Sequence, residues 1–317
     1  MATTTRDSTS QRPRLSQLEL RCPPLPQTLM EALDFMEHPE RLEVRPVTRM
    51  VQRDPFVVAR LLHIANSAYY GLRKSISSAE KAVVMLGPVA VVGVVIGMNM
   101  LRLRKTYKGI QQEALLVLIR HGLATAFLAR HLLDITPSSR RKPVGDHVGA
   151  GFTAGLLHDF GKLVLLHNFP DKASALYTGR LIPLPGGNHT TRMGQERTLF
   201  GYNHVEAGEY AARKLGFADV LTATIQYHHT PEKLPHSDYQ RIVWGVSIAN
   251  ALAHTMGFGT EFGNTHTEQL MQQATRLAHW LVEQREVAYA SADKLFQDLY
   301  EQQDHMQEYI HTLIQDT

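Results

Sequence analysis

Apolar positions recur at helical spacing from residue 27 onward and almost nowhere at the two-residue period of a strand. Leu29, Met30, Leu33 and Met36 form a stripe that predicts a helix over 27–37, and a second short helix is expected over 44–52. Asp54 is placed to cap the next helix, over 56–66, with Pro55 in a first turn that needs no N–H bond. Ser78 is placed to cap a helix over 79–86, and 88–103 follows as an apolar one. A long helix over 111–133 turns Leu115, Leu118, Leu123, Phe127 and Leu128 inward and carries His121 in its middle. Helices over 146–157 and 162–168 flank His158 and Asp159, and others are expected over 205–214 and 217–227. His228-His229-Thr230-Pro231 closes the last of these, because a residue before proline is biased away from helical geometry. The stretch 239–256 is a helix with Asn250 inside it. Two polar helices, about 268–284 and 291–314, have weaker stripes and read as a surface extension or a partner-binding hairpin.

With no sustained alternation, the fold class is all-α, a multi-helix bundle. Residues 1–17 are polar and rich in Ser, Thr and Arg, so they are expected to be a disordered tail. The main body is expected over 18–258, with its core at about 108–256, and a C-terminal helical extension over 259–317. Loops are expected at 67–77, at 136–145 (TPSSRRKPVG), at 181–188 (LIPLPGGN) and at 258–265.

Composition narrows the picture. A net charge of +3, from 33 basic and 30 acidic residues mixed along the chain, argues against a protein that binds nucleic acid by bulk electrostatics. One cysteine, Cys22, excludes an internal disulfide framework and a cysteine-rich zinc site, and fits a reducing cytoplasm. The uncharged run 82–101 is just long enough to span a bilayer, but Gly87-Pro88, Gly93, Gly97 and Asn99 interrupt it. It reads as two buried helices and not as a membrane span. The 17 histidines are many for this length, and metal ligation is one physical reason to collect them.

The stretch FTAGLLHDFGKLVLLHNF, 152–169, concentrates that chemistry. His158 beside Asp159 offers a nitrogen and an oxygen ligand to a divalent ion. Lys162, three residues on, shares a helix face with Asp159 and could face an anion bound there. Each candidate also has a plain reading. His121 could be a core histidine bonded to a carbonyl, Lys162 a solvated helix residue, His204 the start of a helix, and His228-His229 a surface turn. His63, His131, His167, His254 and the later histidines are assigned to ordinary surface or core positions.

In chain order, His121, His158-Asp159 with Lys162, His204 and His228-His229 resemble the HD superfamily of metal-dependent phosphohydrolases. Residues 20–256 are more narrowly similar to an HDOD domain. The likeness is carried by CPPLPQTL, DPFVVARLLHIANSAYYG, AEKAVVMLG, GLLHDFGKL and LFGYNHVEAGEYAARKLGF leading to the histidine pair. This resemblance implies an all-helical HD-type bundle with an N-terminal helical subdomain, acting as a cytoplasmic regulatory module of bacterial signalling. HDOD domains are related to HD-GYP cyclic-dinucleotide phosphodiesterases and often lack part of the metal site. Carried over by position, the resemblance implies metal ligands at His121, His158, Asp159, His204, His228, His229 and Asn250, and catalytic roles for Asp159 and Lys162. Asp159 would bridge two metals and Lys162 would bind phosphate. The cofactor implied is one or two divalent ions, Fe, Mn or Mg.

The departures are Asn250 in place of a closing Asp, Val117 where some related phosphodiesterases carry Glu, and Thr230-Pro231-Glu232-Lys233 in place of GYP. They favour a signalling module acting through protein contacts, as a homodimer or with other signalling proteins, over the alternative of an active phosphohydrolase on nucleotides or cyclic dinucleotides.

Overall fold

The computed structural model describes residues 20–314 except 24, 39–40, 67–73, 135–149, 181–190, 236, 260–263 and 285. Among them the regular structure is helical throughout, with no strand. The N-terminal helices are α1 (Gln27–Glu37), α2 (Val44–Gln52), α3 (Pro55–Ala65), α4 (Ala79–Leu86) and α5 (Pro88–Arg102). The central group is α6 (Ile110–Asp134), α7 (Ala150–Leu157), α8 (Phe160–Asn168), α9 (Pro170–Tyr177), α10 (Arg192–Phe200), α11 (His204–Lys214), α12 (Asp219–Tyr227) and α13 (Gln240–Ala253). The chain closes with α14 (Asn264–Glu283), α15 (Ala292–Glu301) and α16 (Gln303–Ile314).

The local signals behave as their chemistry dictates. The Asp54 carboxylate accepts from the Phe56 and Val57 amides at the start of α3, and Ser78 accepts from the Lys81 amide at the start of α4. Asn203 and Glu206 form a reciprocal capping box at the start of α11. The apolar run 82–101 is broken as expected, since α4 and α5 meet at 111° and α5 is buried along nearly its whole length. The segment Ile110–Leu133 is itself long and apolar enough to cross a membrane, but 72% of its most apolar window is buried inside the protein.

That segment is most of α6, the axle of the bundle, against which α5, α7, α9, α13, α15 and α16 all pack. Two crossings bring the candidate residues together. At the first, a Cβ on Gly122 of α6 would lie 2.8 Å from the Leu156 carbonyl of α7, so these helices approach at backbone distance and set His121 beside His158. At the second, a Cβ on Gly161 of α8 would lie 1.7 Å from the His204 carbonyl of α11, which brings His204 against Asp159.

Three features differ from the sequence reading. Helices α9 and α10 were not anticipated, although Pro170 and Asp171 in the first turn of α9 and Thr191, which caps α10, are start signals. The expected helix over 291–314 is two helices meeting at Gln302, and the break lets Leu295, Leu299, Met306, Tyr309 and Ile310 all reach the interior. These last helices are therefore not a surface appendage. Arg60 of α3 donates to the Thr312 carbonyl at 2.7 Å, and His131 of α6 pairs with Asp298 of α15 at 2.8 Å. The tail 1–17 and the loops at 136–145 and 181–188 lie outside the described residues, as do parts of those at 67–77 and 258–265.

Replacing a helical glycine by alanine ordinarily stabilises a helix by about 1 kcal/mol. At Gly161 the added carbon has no space, so Gly161→Ala should instead lose about 3 kcal/mol or more in urea unfolding. A neutral or stabilising result would contradict the α8–α11 contact.

Candidate metal centre

His158 and Asp159 occupy the break between α7 and α8. The break places the Asp159 carboxylate at the start of α8, where the helix dipole favours negative charge. Around it gather side chains from α6, α8, α11 and the end of α12, nearly all fully buried.

Asp159 Oδ2 lies 3.4 Å from His121 Nε2 and 3.4 Å from His158 Nε2, and those two nitrogens are 3.3 Å apart. Asp159 Oδ1 lies 3.4 Å from His204 Nε2 and 3.6 Å from His228 Nε2. His229 Nε2 is 3.0 Å from His204 Nε2. Two groups able to hold a metal ion therefore share one carboxylate, His121–His158–Asp159 on one side and Asp159–His204–His228–His229 on the other.

The rings are aimed from behind. His121 Nδ1 donates to the Phe258 carbonyl at 3.0 Å, and His158 Nδ1 to the Gly155 carbonyl at 2.7 Å. His228 Nδ1 donates to the Thr224 and Ile225 carbonyls. His204 Nδ1 donates to Glu196 Oε2 at 2.6 Å. These acceptors put the proton on Nδ1 and leave the Nε2 lone pairs facing Asp159. The inward lone pairs of His121 and His158 face each other, and Asp159 Oδ1 and His228 Nε2 are buried with no hydrogen-bond partner. A divalent cation would satisfy all of these atoms, so the residues present fit a metal.

Electrostatics prepare the same state. Burial pushes the Asp159 carboxyl up, but the Lys162 ammonium and the histidines around it prevail and hold it well below the usual carboxylate range. Burial, with the neighbouring His254 and His158, holds His121 well below its ordinary value, and burial with His228 and His204 does the same to His229. Burial lowers His228 to about 4. Asp159 is thus held ionised while His121, His228 and His229 are held neutral, the protonation that ligation requires.

Lys162 is buried on the first turn of α8, with its ammonium 2.7 Å from Asp159 Oδ2. The plain reading of a solvated helix residue is therefore overturned, and the ammonium lies on the carboxylate itself. Asn250 is buried on the face of α13 that also carries Ser247 and His254. Ser247 bonds the His228 carbonyl at 2.8 Å, and the His254 ring lies 4.7 Å from that of His121. Asn250 Oδ1 has no hydrogen-bond partner.

Two neighbours were not foreseen. His254, read as an ordinary histidine, abuts His121, and its spacing of four from Asn250 was the available signal. Glu196, fully buried behind His204, had no local signal because the two meet only through the turn after α10.

The fold and the site define an all-helical protein with a buried histidine–aspartate cluster that could hold metal. Residues 22–231 match the HDOD domain, and the chain belongs to the HDOD family. An HDOD domain protein of unknown function from Geobacter sulfurreducens superposes with a TM-score of 0.68 at 20% identity, covering 92% of this chain and 93% of that one. A Shewanella amazonensis protein described as a candidate metal-dependent phosphohydrolase gives 0.61 at 18% identity, over 94% and 95% of the two chains. A Marinobacter aquaeolei VT8 protein described as a candidate signal transduction protein gives 0.63 at 20% identity, over 95% of this chain and 64% of that one. An uncharacterised protein of Treponema pallidum (strain Nichols) is 23% identical over 235 residues, which is 72% of this chain and 41% of the relative.

His121, His228 and His229 hold fewer protons in the fold than in the unfolded chain. Stability should therefore be fully present above pH 6.5 and fall as the pH drops through the window from 6.5 toward 4. His228 alone accounts for about 2 kcal/mol of that loss at pH 5. Urea unfolding of metal-stripped protein at pH 7 and pH 5 measures it, and equal stabilities would contradict the neutral cluster.

Proposed function

We propose that this HDOD protein is a signal-transduction module of the bacterial cytoplasm that holds a divalent ion at the Asp159 cluster and acts through contacts with other proteins. The observation that carries the reading is the sharing of one carboxylate between two histidine groups while its Oδ2 is ion-paired with Lys162. Asp159 is the one carboxylate at ligating distance among the described residues, and Asn250 brings an oxygen but no charge. Such a set can bind a cation but compensates two dications poorly.

The second reading, a phosphohydrolase acting on nucleotides or cyclic dinucleotides, is favoured by the same shared carboxylate and by the description of the Shewanella relative. A bound ion would supply Lewis-acid polarisation of a phosphate ester. The chain's own contribution would be Asp159 and the histidines to hold the ion and Lys162 to place positive charge beside it.

The two readings part on turnover. Protein supplied with Mn²⁺ is assayed against bis-p-nitrophenyl phosphate and cyclic dinucleotides, with Asp159→Ala as the blank. The signalling reading predicts rates within about tenfold of the blank, roughly 1.4 kcal/mol of barrier. Sustained turnover abolished in Asp159→Ala would establish the hydrolase in its place.

A further inference from the structure

We infer that Glu196 is a positioning residue that makes the two halves of the cluster unequal. A first divalent ion is then taken by Asp159 Oδ1, His204, His228 and His229, and a second, on the Oδ2 side, far more weakly. The inference rests on the metal-binding reading of the site and adds an order of loading to it.

Glu196 is completely buried. Its Oε1 accepts from the Tyr177 hydroxyl at 3.0 Å, and its Oε2 accepts from the His204 backbone amide at 2.8 Å and from His204 Nδ1 at 2.6 Å. These donors are neutral when His204 is neutral, so they solvate the carboxylate without cancelling its charge. Arg192, one turn earlier on α10, directs its guanidinium to the Leu176 carbonyl at 2.9 Å and the Gln195 side chain at 3.1 Å. A carboxylate behind a ligating imidazole fixes its tautomer and raises its basicity, so the negative charge of Glu196 is felt at His204 Nε2. That nitrogen faces Asp159 Oδ1, the carboxylate oxygen buried with no hydrogen bond.

The other half is built differently. His121 and His158 are backed by the Phe258 and Gly155 carbonyls, which orient the rings but carry no net charge. Their carboxylate oxygen, Oδ2, already faces the Lys162 ammonium at 2.7 Å. An ion added there would share that oxygen with a resident cation in a buried site, where like charges are poorly screened. Asn250 supplies no charge to offset it. One half therefore has the influence of two carboxylates, and the other has one carboxylate opposed by one ammonium.

Metal-stripped full-length protein, titrated with Co²⁺ by calorimetry and followed by visible absorption, tests this. The expected result is one tight equivalent and a second at least tenfold weaker. Glu196→Gln should weaken the tight equivalent by about 10- to 100-fold and shift its absorption band. His229→Ala should abolish the tight equivalent and His121→Ala should spare it, and Lys162→Met should narrow the gap between the two. Equal affinities, an unmoved tight site in folded Glu196→Gln, or loss of the tight site in His121→Ala would overturn the inference while leaving metal binding intact. A wild-type protein that binds no cobalt would overturn the metal reading itself. The wild-type isotherm and the His121/His229 pair decide the matter even if Glu196→Gln does not fold.

Discussion

A buried, ionised carboxylate is expensive unless something compensates it, and Asp159 sits at the meeting point of α7, α8, α11 and α12. Its compensation shapes the centre of the bundle. Lys162 answers it from one turn along α8, the start of α8 contributes its dipole, and four histidines turn their inner nitrogens toward it. Each ring in turn needs an acceptor on its outer side, which is why the Phe258, Gly155 and Thr224 carbonyls and the Glu196 carboxylate stand where they do. The close crossings at Gly122 and Gly161 give these partners their short range, since helices held apart by a Cβ would not bring His121 and His204 to the same carboxylate.

That arrangement links the fold to the function proposed for it. Candidate ligands drawn from four helices would make the centre a clamp on the bundle. A cation held by Asp159, His204, His228 and His229 would cross-link α8, α11 and the end of α12, and one held by His121, His158 and Asp159 would tie in α6. A regulatory protein can use such a clamp without turnover, because an ion that binds the folded arrangement stabilises it by mass action. The last helices take part in the same body, since α16 packs on α3 and α6 and the Phe127 and Tyr309 rings lie 5.6 Å apart. Change at the centre therefore has a packed route to the N-terminal helices.

Much of this was legible in residue order. Helix stripes, Asp54 and Ser78 as caps, Pro55 and the interruption at Gly87-Pro88 act over a few residues, and each produces the element it signals. His158-Asp159 stood out because its two ligands are adjacent. His121, His204 and His228-His229 were found through the resemblance and not by spacing, because their convergence depends on helix crossings that no local pattern encodes. Glu196 and His254 escaped for the same reason. The C-terminal helices were misjudged because a stripe split between two helices, Leu295 and Leu299 on one and Met306 and Ile310 on the other, looks weak when read as one.

The central claim is that the Asp159 cluster is an assembled metal site. Elemental analysis of protein purified without chelator, wild type beside a His158→Ala/Asp159→Ala double variant, tests it most directly. The account predicts roughly one Fe or Mn per wild-type chain, or approaching two at high metal supply, and loss of that metal in the variant. A folded, helical wild type that carries no metal and takes none up on addition would contradict it.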